Sequence, residues 1–350
     1  MRHPPRRSPP RLPSALAALA LALALAGCAT PPPAPEPEAP AAAPPAIAGP
    51  VINRDDDFAV VAVRAGDTYA TLAERYLGDP AQAWRVSQFN DAQPLRPGQA
   101  VVVPLTNRNP IGVYAAGVQT VPILCYHRFG ARPSKLNVTP AAFDAQMDYL
   151  ARNGYTVITL KRLARFLEGK EGLPAKSVVI TIDDGYRSTY EIAFPVLRKY
   201  GFPATVFLYT DFVGASDAMT WAQMKEMIGT GLVEIQPHSK SHANLTLRVP
   251  GENDARYRER IRREVEAPVA TIKDRLGEPT ATFAYPYGDV NEWVAELLAS
   301  QRVALGVTVT PGGNAFYAYP FMLRRSMVFG NEDMDAFRAK LVTFVRTASR

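Results

Sequence analysis

The sequence predicts an α/β protein whose main body is a parallel barrel or open parallel sheet, preceded by a small separate αβ unit. Three observations carry this. From residue 121 onward, short apolar runs alternate with segments of helical periodicity over roughly 230 residues, the pattern of repeated strand–helix units. The run Val178–Ile182 is apolar without interruption, as in a strand buried on both faces. Residues 58–105 form a self-contained strand–helix–helix–strand pattern.

The elements follow in order. Residues 1–27 open with Arg2, Arg6, Arg7 and Arg11 and continue into an Ala/Leu run from Ala15 to Ala26. That run is short for a membrane span and suits a signal-peptide core. Residues 28–57 are rich in Pro and Ala, bury too little to fold, and read as a tether. In 58–105, Phe58–Val63 predicts a strand, and Gly66-Asp67-Thr68 a turn and helix cap. Leu72, Ala73 and Tyr76 then predict one helix and Trp84–Phe89 another, ended near Asn90, before a strand over Val101–Pro104. Residues 106–120 read as a linker. In 121–350, strands are predicted at Val121–Tyr126, Tyr155–Leu160, Val178–Ile182, Ala204–Tyr209, Val233–Gln236, Thr282–Tyr285, Ala304–Thr308 and Met327–Val328. Helices are predicted after Thr139-Pro140, over Leu163–Leu167, Tyr190–Tyr200 and Trp221–Ile228, and over the charged stretch Asp254–Leu276, read as a solvated helix.

Charge excludes one class of function. The formal net charge is +6, but the leader carries four of those positive charges and no acid, so the remainder keeps +2. No stripe of interleaved basic and aromatic residues appears, so nucleic acid is not an expected partner, and no obligate protein partner is evident. The two cysteines are Cys28 and Cys125; the second sits in an apolar run and reads as a small buried side chain.

The chemistry concentrates at predicted strand ends. Asp183 and Asp184 follow Val178–Ile182 directly, with Gly185 next. Adjacent carboxylates there are costly without a cation, although Asp-Asp-Gly is also a common turn or cap. The chain has four histidines, and the three beyond the leader, His127, His238 and His242, all lie at predicted strand ends. Two imidazoles spaced as in His238-Ser-Lys-Ser-His242, with one carboxylate, fit a divalent ion and leave coordination positions open, as a catalytic site needs.

Three of these segments resemble the motifs of the polysaccharide deacetylase family, the NodB-like carbohydrate esterases: Thr181-Ile-Asp-Asp-Gly185, His238-Ser-Lys-Ser-His242 and Phe283-Ala-Tyr-Pro-Tyr-Gly288. The resemblance implies a distorted NodB-type (β/α) barrel and hydrolysis of N-acetyl groups on a GlcNAc-containing polysaccharide. It implies that Asp184, His238 and His242 bind the metal: zinc (Zn²⁺) first, with Co²⁺, Ni²⁺ or Fe²⁺ as the other candidates. It also makes Asp183 the general base and Tyr287, through its backbone N–H, an oxyanion donor. Two departures matter. No histidine follows His242, so the family's late acid is missing. Val121–His127 resembles the start of the permuted subgroup that includes poly-N-acetylglucosamine deacetylases, which assigns the acid to His127; a packed histidine is the other reading. The third motif also lacks its usual arginine, leaving Arg325 or Arg324 to orient Asp183. Tyr126, Tyr285 and Trp221 are candidate sugar-stacking residues.

Two further resemblances concern the N-terminal part. Arg64-Ala-Gly-Asp-Thr68, Asn90 and Arg96-Pro-Gly-Gln99 resemble a LysM module, implying a glycan-binding domain over 58–105. Leu25-Ala-Gly-Cys28 resembles a lipobox, implying lipidation of Cys28 and a membrane anchor, with Ala29 favouring the outer membrane facing the periplasm. The competing functions are a catalytically inactive glycan-binding lipoprotein and a related O-acetyl esterase.

Overall fold

The structure is a computed structural model and describes residues 51–107 and 109–347. The leader, the lipobox with Cys28 and the tether as far as residue 50 lie outside the described residues.

The N-terminal unit comprises β1 (Val51–Arg54), β2 (Phe58–Ala62), α1 (Tyr69–Leu77), α2 (Ala83–Phe89) and β3 (Ala100–Pro104). Thr68 closes α1 with a reciprocal capping box to Thr71, and Gly78 ends it at φ 75°. The Asn90 amide ties α2 to β3, donating to the Val102 carbonyl (2.7 Å) and accepting from the Val102 N–H (3.1 Å). Ala59, Val61, Leu72, Val86, Val101 and Val103 form its core. One element was not anticipated. Residues 51–54, assigned by the sequence to the tether, pair antiparallel with β2 as an exposed edge strand.

The remaining elements run β4 (Val113–Tyr114), β5 (Gly117–Gln119), β6 (Val121–Tyr126), β7 (Arg128–Phe129), β8 (Asn137–Val138), α3 (Pro140–Arg152), β9 (Thr156–Val157), α4 (Leu160–Leu167) and β10 (Ser177–Asp184). They continue with α5 (Phe194–Tyr200), β11 (Ala204–Leu208), α6 (Trp221–Gly229), β12 (Val233–Pro237), α7 (Asp254–Leu276), β13 (Thr282–Ala284), α8 (Glu292–Ser300), β14 (Leu305–Val307), β15 (Gly313–Asn314), β16 (Ser326–Met327), α9 (Met334–Ala339) and β17 (Phe344–Arg346). The expected linker is folded in part: β4 and β5 form a hairpin, and β17 adds to β5 antiparallel.

The central sheet runs β12-β11-β10-β6-β16, all parallel. Its strands therefore finish on one side, and the residues beyond them gather there. Every residue of β6 and β10 is buried. Alternation assigns their faces. Leu124, Tyr126, Ile180 and Ile182 pack with Phe143, Met147 and Leu150 of α3. Val121, Ile123 and Val179 join a second cluster with Phe207 and Val307. Cys125, His127, Thr181 and Asp183 share the parity of that second set.

The strand ladder is not a closed cylinder. Leu323 couples β14 to the segment leading into β16 through backbone bonds with Gly306 and Thr308. Between β12 and β13 the join is made by a side chain: Gln236 accepts from Ala281 N–H (2.9 Å) and Thr282 N–H (3.0 Å) and donates to the Pro279 carbonyl (3.2 Å). Among the described residues, no helix is long and apolar enough to cross a membrane.

Candidate active site

Asp183 points inward from the end of β10 beside Thr181. Arg325, just ahead of β16 and fully buried, grips it with a two-pronged fork, Nη1 to Oδ1 and Nη2 to Oδ2, both at 2.7 Å. Two further guanidinium donors are satisfied, Nε by the Thr308 carbonyl (2.7 Å) and the second Nη1 hydrogen by Thr181 Oγ1 (3.2 Å). Burial by itself would raise the Asp183 carboxyl. The facing guanidinium more than reverses this and holds the group well below the usual carboxylate range. Arg324, the other arginine considered, is exposed and turned away, with its Nη1 near the Pro311 carbonyl.

Asp184 turns the opposite way. It adopts φ 76°, a strained conformation for a non-glycine residue. Gly185 follows at φ 85°, where an added Cβ would lie 2.4 Å from Leu208 Cδ1. Asp184 Oδ1 is buried without a hydrogen-bond partner. It lies 3.7 Å from His238 Nε2 and 3.4 Å from His242 Nε2.

His238 follows β12. Its Nδ1 lies 2.8 Å from the Ala284 carbonyl, which only accepts, so Nδ1 carries the proton and Nε2 offers its lone pair toward Asp184. Burial depresses His238 to about 4, and raises Asp184 to about 6, with the neighbouring Asp183 adding to the rise. An orphaned carboxylate oxygen facing the Nε2 atoms of two imidazoles is a donor set that suits a divalent ion of zinc type. These three residues form a compact ligand cluster.

His127 lies beside Asp183: ligand atoms of Cys125, His127 and Asp183 fall within 4.8 Å of one another. Tyr287 follows β13 at φ 63°, is 62 % exposed, and sets its ring edge-on to His242 with centroids 4.8 Å apart. The structure thus brings Asp183, Asp184, His238, His242 and Arg325 into direct contact, with His127 and Tyr287 at the rim.

Two of the three stacking candidates, Tyr126 and Tyr285, are not placed to stack on a sugar. Tyr126 is fully buried, packs edge-on to Phe143 and bonds Gln146 through its hydroxyl. Tyr285 is also fully buried, with its hydroxyl on the Phe321 carbonyl. Neither ring has a free face for a sugar. Trp221 is half-buried against the main core at the start of α6. Aromatics that do line the site are Tyr209, whose ring centroid is 5.3 Å from that of His242, and Tyr186, which lies under the Arg128 guanidinium at 3.7 Å.

Glu264 falls within the charged stretch that the sequence predicts as a solvated helix. It is instead a buried anchor for the histidine loop. It accepts from Lys240 N–H (3.1 Å), Ser241 N–H (2.8 Å) and Ser241 Oγ (2.8 Å). That loop holds Ser239 and His242 at φ 68° and 61°. Glu264→Ala is expected to weaken metal binding by about 10- to 100-fold, as loss of a ligand's supporting contacts does, with Glu264→Gln intermediate; competition with a chromogenic chelator measures this.

A family model described as polysaccharide deacetylase matches residues 170–305. His127 and Arg325 lie outside that span. Bacillus subtilis YxkH, which carries the polysaccharide deacetylase name, is 31% identical over 219 residues, 63% of this chain and 75% of that protein. The poly-beta-1,6-N-acetyl-D-glucosamine N-deacetylase of Escherichia coli is 25% identical over 243 residues, 59% of this chain but only 36% of that enzyme. Among solved structures, IcaB from Ammonifex degensii superposes with a TM-score of 0.55 at 30% identity, covering 61% of this chain and 93% of that one.

Proposed function

The chain belongs to the polysaccharide deacetylase family, and on that premise we propose that it is a metal-dependent hydrolase removing N-acetyl groups from a polysaccharide that contains N-acetylglucosamine. The observation that carries this is the pairing of two unlike carboxylates, Asp184 facing His238 and His242, and Asp183 locked ionised by Arg325. The substrate class is supported by relatives named for poly-beta-1,6-N-acetyl-D-glucosamine.

In this reading Asp184, His238 and His242 hold the metal. When bound, such an ion polarises the acetamide carbonyl and acidifies a water. Arg325 fixes Asp183 in one rotamer and keeps it charged, while the carboxylate retains free lone pairs to take the attacking water's proton. His127, which follows β6 directly, gives a proton to the departing amine nitrogen. The backbone N–H of Tyr287, a residue held at φ 63°, donates to the oxygen on which negative charge develops. Tyr209 and the exposed Tyr287 ring present apolar faces beside the reacting group.

Residues 58–105 are proposed as a LysM-type glycan-binding module, supported by the observed β2-α1-α2-β3 order. Residues 1–27 as a lipoprotein signal, Cys28 as the lipidated residue and an outer-membrane location are proposals resting on the sequence. Zinc as the ion rests on the donor set.

Chelated protein reloaded with one equivalent of Zn²⁺ or Co²⁺ is expected to release acetate from N-acetylglucosamine oligomers. Asp184→Ala and His238→Ala should lose both metal and activity; metal-free protein matching the reloaded activity would refute the reading. Affinity should also follow pH. The raised Asp184 carboxyl takes up a proton as pH falls through about 6, and that proton competes with the ion. Binding should weaken roughly tenfold per pH unit below about 6 and level off above it, as titration calorimetry can follow.

A further inference from the structure

We infer that Cys125, His127 and Asp183 form a second, weaker site for soft divalent metals, and that its occupation inhibits the enzyme. This rests on the proposed first site at Asp184, His238 and His242. The three ligand atoms lie within 4.8 Å of one another, and Cys125 Sγ is 3.5 Å from Asp183 Oδ2. Zinc–sulfur and zinc–oxygen bonds of about 2.3 and 2.1 Å set the edge of a tetrahedral site at roughly 3.5 Å. The Arg325 fork occupies one direction on each Asp183 oxygen, and a carboxylate offers about four, so Oδ2 keeps one for a metal. Cys125 and Asp183 are buried while His127 is partly exposed, so an ion enters past His127.

On binding, the Cys125 S–H bond breaks, its proton passes to buffer, and a sulfur–metal bond forms. A thiolate selects zinc or cadmium over magnesium. The Arg325 charge and an ion already at the first site repel the newcomer, which makes this a site filled by excess metal. Once filled, it engages both Asp183 and His127, the two groups assigned to move protons.

The test uses the full chain with Cys28→Ala, so that Cys125 is the remaining thiol, titrated with Cd²⁺ and separately with Mg²⁺. One equivalent of Zn²⁺, added before either titration, should restore acetate release without the sulfur-to-metal charge-transfer band that a cadmium thiolate gives. Excess Cd²⁺ should produce that band and cut turnover by about a hundredfold, the scale of losing acid–base assistance; excess Mg²⁺ should do neither. Cys125→Ala should lose both band and inhibition while keeping first-equivalent activity; Cys125→Ser, closer in volume, repeats the test if the alanine variant is unstable. No band at saturating Cd²⁺, or inhibition unchanged in both variants, overturns the inference. Failure of the first equivalent to activate would strike at the first site instead, since the band is read independently of activity.

Discussion

Asp183→Asn is expected to lower kcat by about 10²- to 10⁴-fold, the contribution of a positioned proton acceptor, with metal content unchanged. Metal is retained because Asp183 lies outside the Asp184–His238–His242 cluster. The variant carries a second cost. Arg325 is fully buried and forked onto both Asp183 oxygens, and an amide can accept only one prong. A buried cation left partly unpaired costs on the order of 3–5 kcal/mol, so a melting-temperature drop should accompany the kinetic loss. Near-normal turnover in a folded, metal-loaded Asp183→Asn protein would remove Asp183 as the base.

Arg325→Met is expected to lower stability by a comparable amount, about 3–5 kcal/mol, or a fall in Tm on the order of 10 °C. With the guanidinium gone, burial governs the Asp183 carboxyl and moves it upward. In the wild type this group is depressed. Its contribution to stability is therefore present above the unfolded carboxylate value near 4 and is lost as pH falls through the low folded value. In Arg325→Met that acid-side loss should vanish, and the acid limb of the pH–rate profile should move to higher pH. Arg325→Lys restores the charge but not the fork, and should recover only part of each. Asp183→Asn combined with Arg325→Met should be less destabilised than the two singles added together, because each single leaves a buried group without its partner.

What was legible in the sequence follows from how each residue is specified. Asp183, Asp184, His238 and His242 stand in short contiguous segments whose spacing survives folding, so they were readable directly. His127 was readable from its position at a strand end. Arg325 was one of two adjacent arginines, and nothing in a linear sequence says which of two neighbours on a short strand approach turns inward. Tyr126 and Tyr285 were misassigned for a related reason: all six residues of β6 and all three of β13, which Tyr285 follows, are buried, so no polar alternation marks the face that looks toward the site. Its parity with Leu124 puts Tyr126 against α3. Glu264 was hidden among the charges of α7. A signal was present, because it falls within the buried stripe of Tyr257, Ile261, Val265, Pro268 and Ile272, and a lone acid on such a stripe needs a buried partner. The short strands β1, β4, β5 and β17 gave no periodicity to read, since two to four residues fix no period and pairing comes from distant partners.

The Asp183–Arg325 pair and the Asp184–His238–His242 cluster are proposed together to hydrolyse an N-acetyl bond of a glucosamine polymer. Acetate and free amine should be measured together on poly-β-1,6-N-acetylglucosamine, with purified peptidoglycan and acetylxylan alongside. The expected result is acetate release with one new amine per acetate from an N-acetylated polymer, lowered by about 10²- to 10⁴-fold in Asp183→Asn. Stoichiometric metal with no acetate from any N-acetylated substrate would contradict it and leave a glycan-binding protein; acetate from acetylxylan alone would contradict it in favour of an O-acetyl esterase.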